Sequence, residues 1–142
     1  MSSAWALIED AGDILMVRRS FSVGRGGQWC PPGGTMWRDE WPEVACVRET
    51  YEETGLRVSV VRPIANFEGA HFVLCSLNSK RARLMLRDTE CIDAKWIRPR
   101  DILSLGTVMD LRRMIPVLQL AGFTPPKLPE GLVPSIPTEQ FV

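Results

Sequence analysis

The sequence predicts an α/β domain built on a mixed β-sheet, and three observations predict it. Segments with strand-like alternation or apolar density recur at 5–20, 56–64, 71–77 and 94–99. Two segments with helical signals, 42–54 and about 107–123, lie among them. The length, 142 residues, suits one domain with an enclosed core.

Each element has a local cause. Residues 5–20 read as strand, turn and strand, with Gly12 free to take a positive φ at the turn. Residues 21–29 form a Gly-rich loop that lacks the Gly-Lys-Ser/Thr of a Walker motif. In Trp29-Cys30-Pro31-Pro32-Gly33-Gly34, two prolines fix φ and two glycines open the backbone. Pro42 suits the first turn of a helix that Gly55 terminates after Thr54. The next strand, from Leu56, is expected to close at Pro63; a second apolar strand follows at 71–77, and a shorter one at 94–99. Lys80–Arg87 reads as the solvated face of a hairpin. Val108, Leu111, Met114, Ile115 and Leu118 are spaced as on one helix face, with Pro116 expected to kink or shorten that helix. A domain over 1–123 is expected, followed by an extended Pro-rich tail over 124–142, either draped over the domain or mobile.

Composition narrows the function. Seventeen basic residues balance seventeen acidic ones, which gives little support to nucleic acid as a partner. No apolar run is long enough to span a bilayer, and the first ten residues lack the pattern of a secretory leader. Cys30, Cys46, Cys75 and Cys91 are scattered, and His71 alone could join them as a ligand. Free thiols in a reducing cytoplasm are the expectation.

The stretch Arg48–Leu56 crowds carboxylates. On a helix, Glu49, Glu52 and Glu53 stand at i, i+3 and i+4 and project from one face, where like charges repel. Two readings compete: a solvated acidic face, or a site for a hard divalent cation that offsets the repulsion. The Pro-Pro-Gly-Gly loop just ahead favours the second, because glycine lets the main chain approach an ion closely.

From Gly34 to Leu56 the chain reads G-x5-E-x7-R-E-x-x-E-E-x-G-L, with Glu40, Arg48, Glu49, Glu52, Glu53 and Gly55 at the fixed positions. This resembles the Nudix box of hydrolases that split nucleoside diphosphates linked to another moiety. The lead-in Trp-Cys-Pro-Pro-Gly-Gly and the downstream Thr89–Ile97 resemble the family more weakly. The resemblance implies an α/β/α sandwich with a mixed sheet. It implies Mg²⁺, with Mn²⁺ as an alternative, held by Glu49, Glu53 and the Gly33 carbonyl, with Glu52 assisting directly or through water. It implies that Arg48 orients a box glutamate and that Glu40 braces the loop. The base that takes the proton of water stays open among Glu49, Glu53, Glu68, Glu90 and Asp93.

The chain departs from the box at Thr50, where a bulky aliphatic is usual, at Trp37, near a common glutamate, and at Asp39, where glycine is common. Asp39 tolerates a left-handed backbone. Trp37 and Trp41 are expected to pack the loop, with stacking under a nucleobase as the alternative. Arg18, Arg19 and Arg25 either meet phosphate or end solvated, and Glu90 is grouped with Arg18, Arg19 and Trp37 at the substrate. A structural or surface role is expected for His71.

The expected activity is metal-dependent hydrolysis of a pyrophosphate bond in a small nucleotide, either a nucleoside triphosphate or a nucleoside diphosphate derivative. Hydrolysis at an RNA 5′ end and nucleotide sensing without cleavage are the alternatives; the intact glutamates argue against sensing. A homodimer stays open.

Overall fold

A computed structural model describes residues 1–141. Along the chain lie β1 (Ser3–Asp10), β2 (Asp13–Arg19), β3 (Trp29–Cys30), β4 (Gly33–Thr35), α1 (Pro42–Thr54), β5 (Val58–Phe67), β6 (Ala70–Leu77), β7 (Cys91–Ile97), α2 (Leu111–Leu120) and β8 (Glu139–Gln140). A 3-10 helix over Pro99–Leu105 precedes α2. The sheet is mixed, as expected: β1 runs parallel to β6, and the other strand pairs are antiparallel.

Alternation along the strands makes the sandwich. Ala4, Ala6 and Ile8 of β1, Leu15 of β2 and Val73 and Cys75 of β6 face α1, where they meet Ala45 and Cys46. Leu7, Ile14, Met16 and Phe72 face the other way, against Met114, Ile115, Val117 and Leu118 of α2.

On one edge β1 forks. Its start pairs with β4 (Trp5 opposite Gly33) and its end with β2 (Asp10 opposite Asp13). A Cβ on Gly33 would lie 2.2 Å from the Ala4 carbonyl oxygen, so only glycine lets β4 lie there. That pairing brings the Gly33–Gly34 backbone beside α1.

The bounds of α1 match the sequence expectation. Pro42 opens it, and Gly55 (φ 77°) closes it by donating its N–H to the Tyr51 carbonyl at 2.9 Å. Asp39 takes φ 64°, as its tolerance for that region allows.

Other expectations need correction. Pro63 does not end β5, because it sits where the β5–β6 register shifts and a ladder N–H is dispensable. Residues 81–87 form no hairpin but cross the end of α1, where Met85 and Arg87 donate N–H groups to the carbonyls of Thr54 and Glu53. The helical signal over 107–123 yields a helix of ten residues, Leu111–Leu120, with Pro116 inside it. The tail is draped: its β8 pairs with Ala65 and Asn66 of β5. No helix among the described residues is long and apolar enough to cross a membrane.

Thr50, the unusual box residue, is fully buried, and its hydroxyl has no hydrogen-bond partner among the described residues. A buried unpaired hydroxyl costs about 1–3 kcal/mol. Thr50→Val keeps the shape and removes that cost, so it is expected to raise stability by about 1 kcal/mol. Urea denaturation of the two proteins measures this; an unchanged or lowered midpoint would contradict it.

Candidate active site

The site is organised around Arg48. Its Nε and Nη2 donate to the two carboxylate oxygens of Glu40, both at 2.8 Å. Its Nη1 donates to Glu49 at 3.0 Å and to Glu52 at 3.3 Å, and its Nη2 also reaches the Thr35 carbonyl at 3.4 Å. One guanidinium thus joins the loop before α1 to two glutamates on it. The Arg48 hydrogen bonds hold the Glu40 carboxyl below its ordinary pKa, and Glu40 in turn raises that of Arg48. Glu40 also accepts the Trp37 N–H at 2.9 Å, which fixes the turn.

Trp37 covers this hub. Its ring lies under the Arg48 guanidinium, 3.8 Å from carbon to centroid, while 61% of the residue stays exposed. Trp37 is therefore not packed among its neighbouring prolines; it stacks on a cation. Trp41, at the N-cap of α1, is exposed as well, so apolar packing of the loop does not describe either residue.

Three carboxylates converge beside the hub. Glu49, Glu53 and Glu90 each offer an oxygen, and these oxygens lie within 4.8 Å of one another. Glu52 is not in this group; its carboxylate leans on Arg48. The grouping differs from the face read off the helix, in which Glu52 was the third acid. Glu90 arrives because 81–87 straps the end of α1, after which the N–H groups of Glu90 and Cys91 both donate to the Arg87 carbonyl.

Glu53 is 6% exposed and accepts the Gly33 N–H at 3.3 Å. Burial pushes its pKa up to about 9, with Glu49 and Glu90 adding to the rise and the Gly33 N–H opposing it. Burial also raises Glu49, against the lowering pull of Arg48. Oxygen donors this close, costly to ionise together, are the set that a hard divalent cation fits. Gly34 leaves them room: a Cβ there would meet the Glu49 carboxylate at 3.1 Å.

The three acids line a cleft of about 380 Å³ with Arg19, Arg48, Glu52, Trp37 and Gly33. A second cavity of about 390 Å³ adjoins it and shares Arg19, Gly34 and Thr35. Its walls are Trp5, Phe72, Met109 and Met114, with Arg25, Asp110 and Arg113 among them.

The remaining sequence candidates are now placed. Arg19 stands where the two cavities meet. Arg18 lines neither; its Nε donates to the Gly27 carbonyl at 2.9 Å, so it staples the Gly-rich loop. Arg25 pairs with Asp110 at 2.8 Å across the second cavity. Glu68 and Asp93 are exposed and line neither cavity. His71 lies in a separate groove with Trp41 and Phe141. All four cysteines are free and buried, and burial pushes up each thiol, Cys30 and Cys75 to about 12. Sequence reasoning missed the second cavity's Trp5, Phe72 and Asp110; no local motif marks them, and only the crossing of β1, β6 and α2 assembles them.

Comparison with known proteins bears on the family and the fold. The family model described as NUDIX domain matches residues 1–118. A MutT-like protein of Streptomyces ambofaciens is 40% identical over 60 residues, 42% of this chain. The matched stretch spans 36% of that relative's length. The crystal structure of a MutT protein from Methanosarcina mazei Go1 superposes with a TM-score of 0.70 at 26% identity, covering 85% of this chain and 92% of that one. A Caenorhabditis elegans Ap4A hydrolase complex superposes at 0.68 with 24% identity, covering 86% and 100%. The family match spans most of the chain and includes the whole Arg48 hub and the carboxylate cluster, so this chain belongs to the NUDIX hydrolase family.

Proposed function

We propose that this protein hydrolyses the pyrophosphate bond of a small nucleotide, using a divalent cation, Mg²⁺ or Mn²⁺, held by Glu49, Glu53 and Glu90. The observation that carries this reading is the convergence of three carboxylate oxygens within 4.8 Å in a cleft that adjoins a second cavity lined in part by Trp5 and Phe72.

The division of labour follows from position. When bound, the cation supplies positive charge against the phosphate oxygens and acidifies water. Arg19, at the junction, puts a further positive charge where a pyrophosphate would pass between the two cavities. Arg48 holds Glu49 and Glu52 in place from behind. Water adds to one phosphorus, the bridging P–O bond breaks, and the water's proton goes to a cleft carboxylate. Glu49, Glu53 and Glu90 line the cleft and Glu68 and Asp93 do not, which narrows the base to the first three.

The second cavity suits the organic part of the substrate. Trp5 and Phe72 add aromatic carbon to its lining, and Asp110 and Arg113 offer an acceptor and donors to a base edge. The C. elegans neighbour is called an Ap4A hydrolase, so dinucleoside polyphosphates join the nucleoside triphosphates in the trial.

The test is product release from a panel: normal and oxidised nucleoside triphosphates, ADP-ribose, nucleotide sugars, diadenosine tetraphosphate and capped RNA, each with Mg²⁺ and with excess chelator. Cleavage of at least one small nucleotide only with metal is the expected result. Turnover of metal-free protein, or cleavage confined to capped RNA, would overturn the reading.

A further inference from the structure

The tail over 131–141 is tied at two places, to α2 and to β5. Pro116 has no N–H, so the Arg112 carbonyl four residues earlier loses its helical partner. The Ser135 N–H takes that carbonyl at 2.9 Å. The Arg112 Nε in turn donates to the Val133 carbonyl at 2.6 Å. One residue of α2 therefore grips the tail with both its main chain and its side chain.

The far end of the tail is fixed to the sheet. The Thr138 N–H and hydroxyl both donate to the Asn66 carbonyl at 2.8 Å, and the Phe141 N–H donates to the Ile64 carbonyl at 2.9 Å. The tail thus spans from the first turn of α2 to β5. Both supports belong to, or pair with, elements that line the cavity: Asp110, Arg113 and Met114 belong to that first turn, and Phe72 stands on β6, opposite Ala65 of β5. Asp110 at the N-cap of that turn is left-handed (φ 51°) and makes no side-chain capping hydrogen bond, so the Arg25 ion pair and the tail hold the turn from outside.

We infer that the tail sets the width of the second cavity and that Arg112 is a positioning residue for substrate binding. Arg112 lines neither cavity, so it acts through its neighbours Asp110 and Arg113. The inference rests on the proposed function, which assigns that cavity to the organic part of the substrate.

The test uses the full chain with Ser135→Pro, which removes the N–H given to Arg112, together with Arg112→Ala and Arg112→Lys. Binding of α,β-methylene ADP with Mg²⁺ is measured by calorimetry, and KM and kcat are measured on the best substrate of the panel. Ser135→Pro and Arg112→Ala are expected to weaken binding and raise KM roughly three- to tenfold, the size of a lost hydrogen bond. The kcat should stay within about twofold, because the carboxylate cluster is untouched. Arg112→Lys should recover part of the loss, and amide exchange at 109–114 should speed up in Ser135→Pro. Wild-type affinity in both variants, or equal losses in kcat and kcat/KM, would overturn the inference while leaving the proposed function standing. A wild-type chain that neither binds nor cleaves any nucleotide would overturn both.

Discussion

Glu53→Gln is expected to lower kcat by about 10²–10⁴-fold while the fold survives and the metal-free protein becomes more stable. The loss follows from removing the central charge of the cluster, since Glu53 touches both the Glu49–Glu90 group and the Gly33 loop. The gain in stability follows from burial. The Glu53 carboxyl, ordinarily near 4.5, is pushed up to about 9 in the folded chain. Between those values the folded protein holds a proton that the unfolded chain has released, so its stability falls as pH rises through the window. The ceiling on that slope is about 1.4 kcal/mol per pH unit for one proton. Melting curves at pH 6 and pH 8 with chelator should show the drop in the wild type and a smaller one in Glu53→Gln. Adding Mg²⁺ should flatten the wild-type dependence, because a cation favours the ionised cluster. Glu43→Gln, outside the cleft on the same helix, is the control and should change kcat little. Equal losses in both variants would refute the assignment.

Arg48→Ala should damage stability and catalysis together. It strands the Glu40 carboxylate, which accepts two hydrogen bonds from Arg48 and whose side chain is 5% exposed. Breaking a buried pair by removing one partner costs about 3–5 kcal/mol, and a hub covered only by an exposed indole belongs at or below the lower end. Glu49 and Glu52 lose their common anchor too, so kcat should fall by about 10²-fold. Arg48→Lys should rescue little, because an ammonium cannot fork onto Glu40 while reaching Glu49 and Glu52. Trp37→Ala removes only the stacked ring, worth about 0.5–1 kcal/mol at an exposed site, and should cost far less than Arg48→Ala in both readouts. Denaturation midpoints and kcat for the three variants decide this; a Trp37→Ala defect as large as that of Arg48→Ala would mean the hub is built differently.

Local chemistry is what the sequence carried well. Pro42 and Gly55 act on their own residues' backbone angles, and they placed α1 at its observed bounds. The box pattern singled out Glu40, Arg48, Glu49 and Glu53; the last three lie on α1, where helix geometry turns spacing into proximity, and Glu40 lies in the loop ahead of it. Glu90 was legible only as an acid in the right neighbourhood. It lies 37 residues beyond Glu53, and an irregular segment strapped over the end of α1 delivers it. Glu52 shows the reverse case: helical spacing put it on the metal face, but its side chain swings to Arg48. Pro63 reads as the end of a strand, and Pro116 as a kink or a shortening of a helix, because proline removes a donor. In the fold a register shift absorbs one loss, and the tail fills the other. Such compensation by distant chain leaves no local mark.

The central claim is that Glu49, Glu53 and Glu90 share one divalent cation, and Glu90 is the member that the helix pattern alone does not supply. The most direct measurement is Mn²⁺ binding by electron paramagnetic resonance to the wild type, Glu90→Gln and Glu68→Gln. Glu90→Gln should weaken Mn²⁺ binding by at least about tenfold, and Glu68→Gln should match the wild type. Wild-type affinity in Glu90→Gln would contradict the three-carboxylate site.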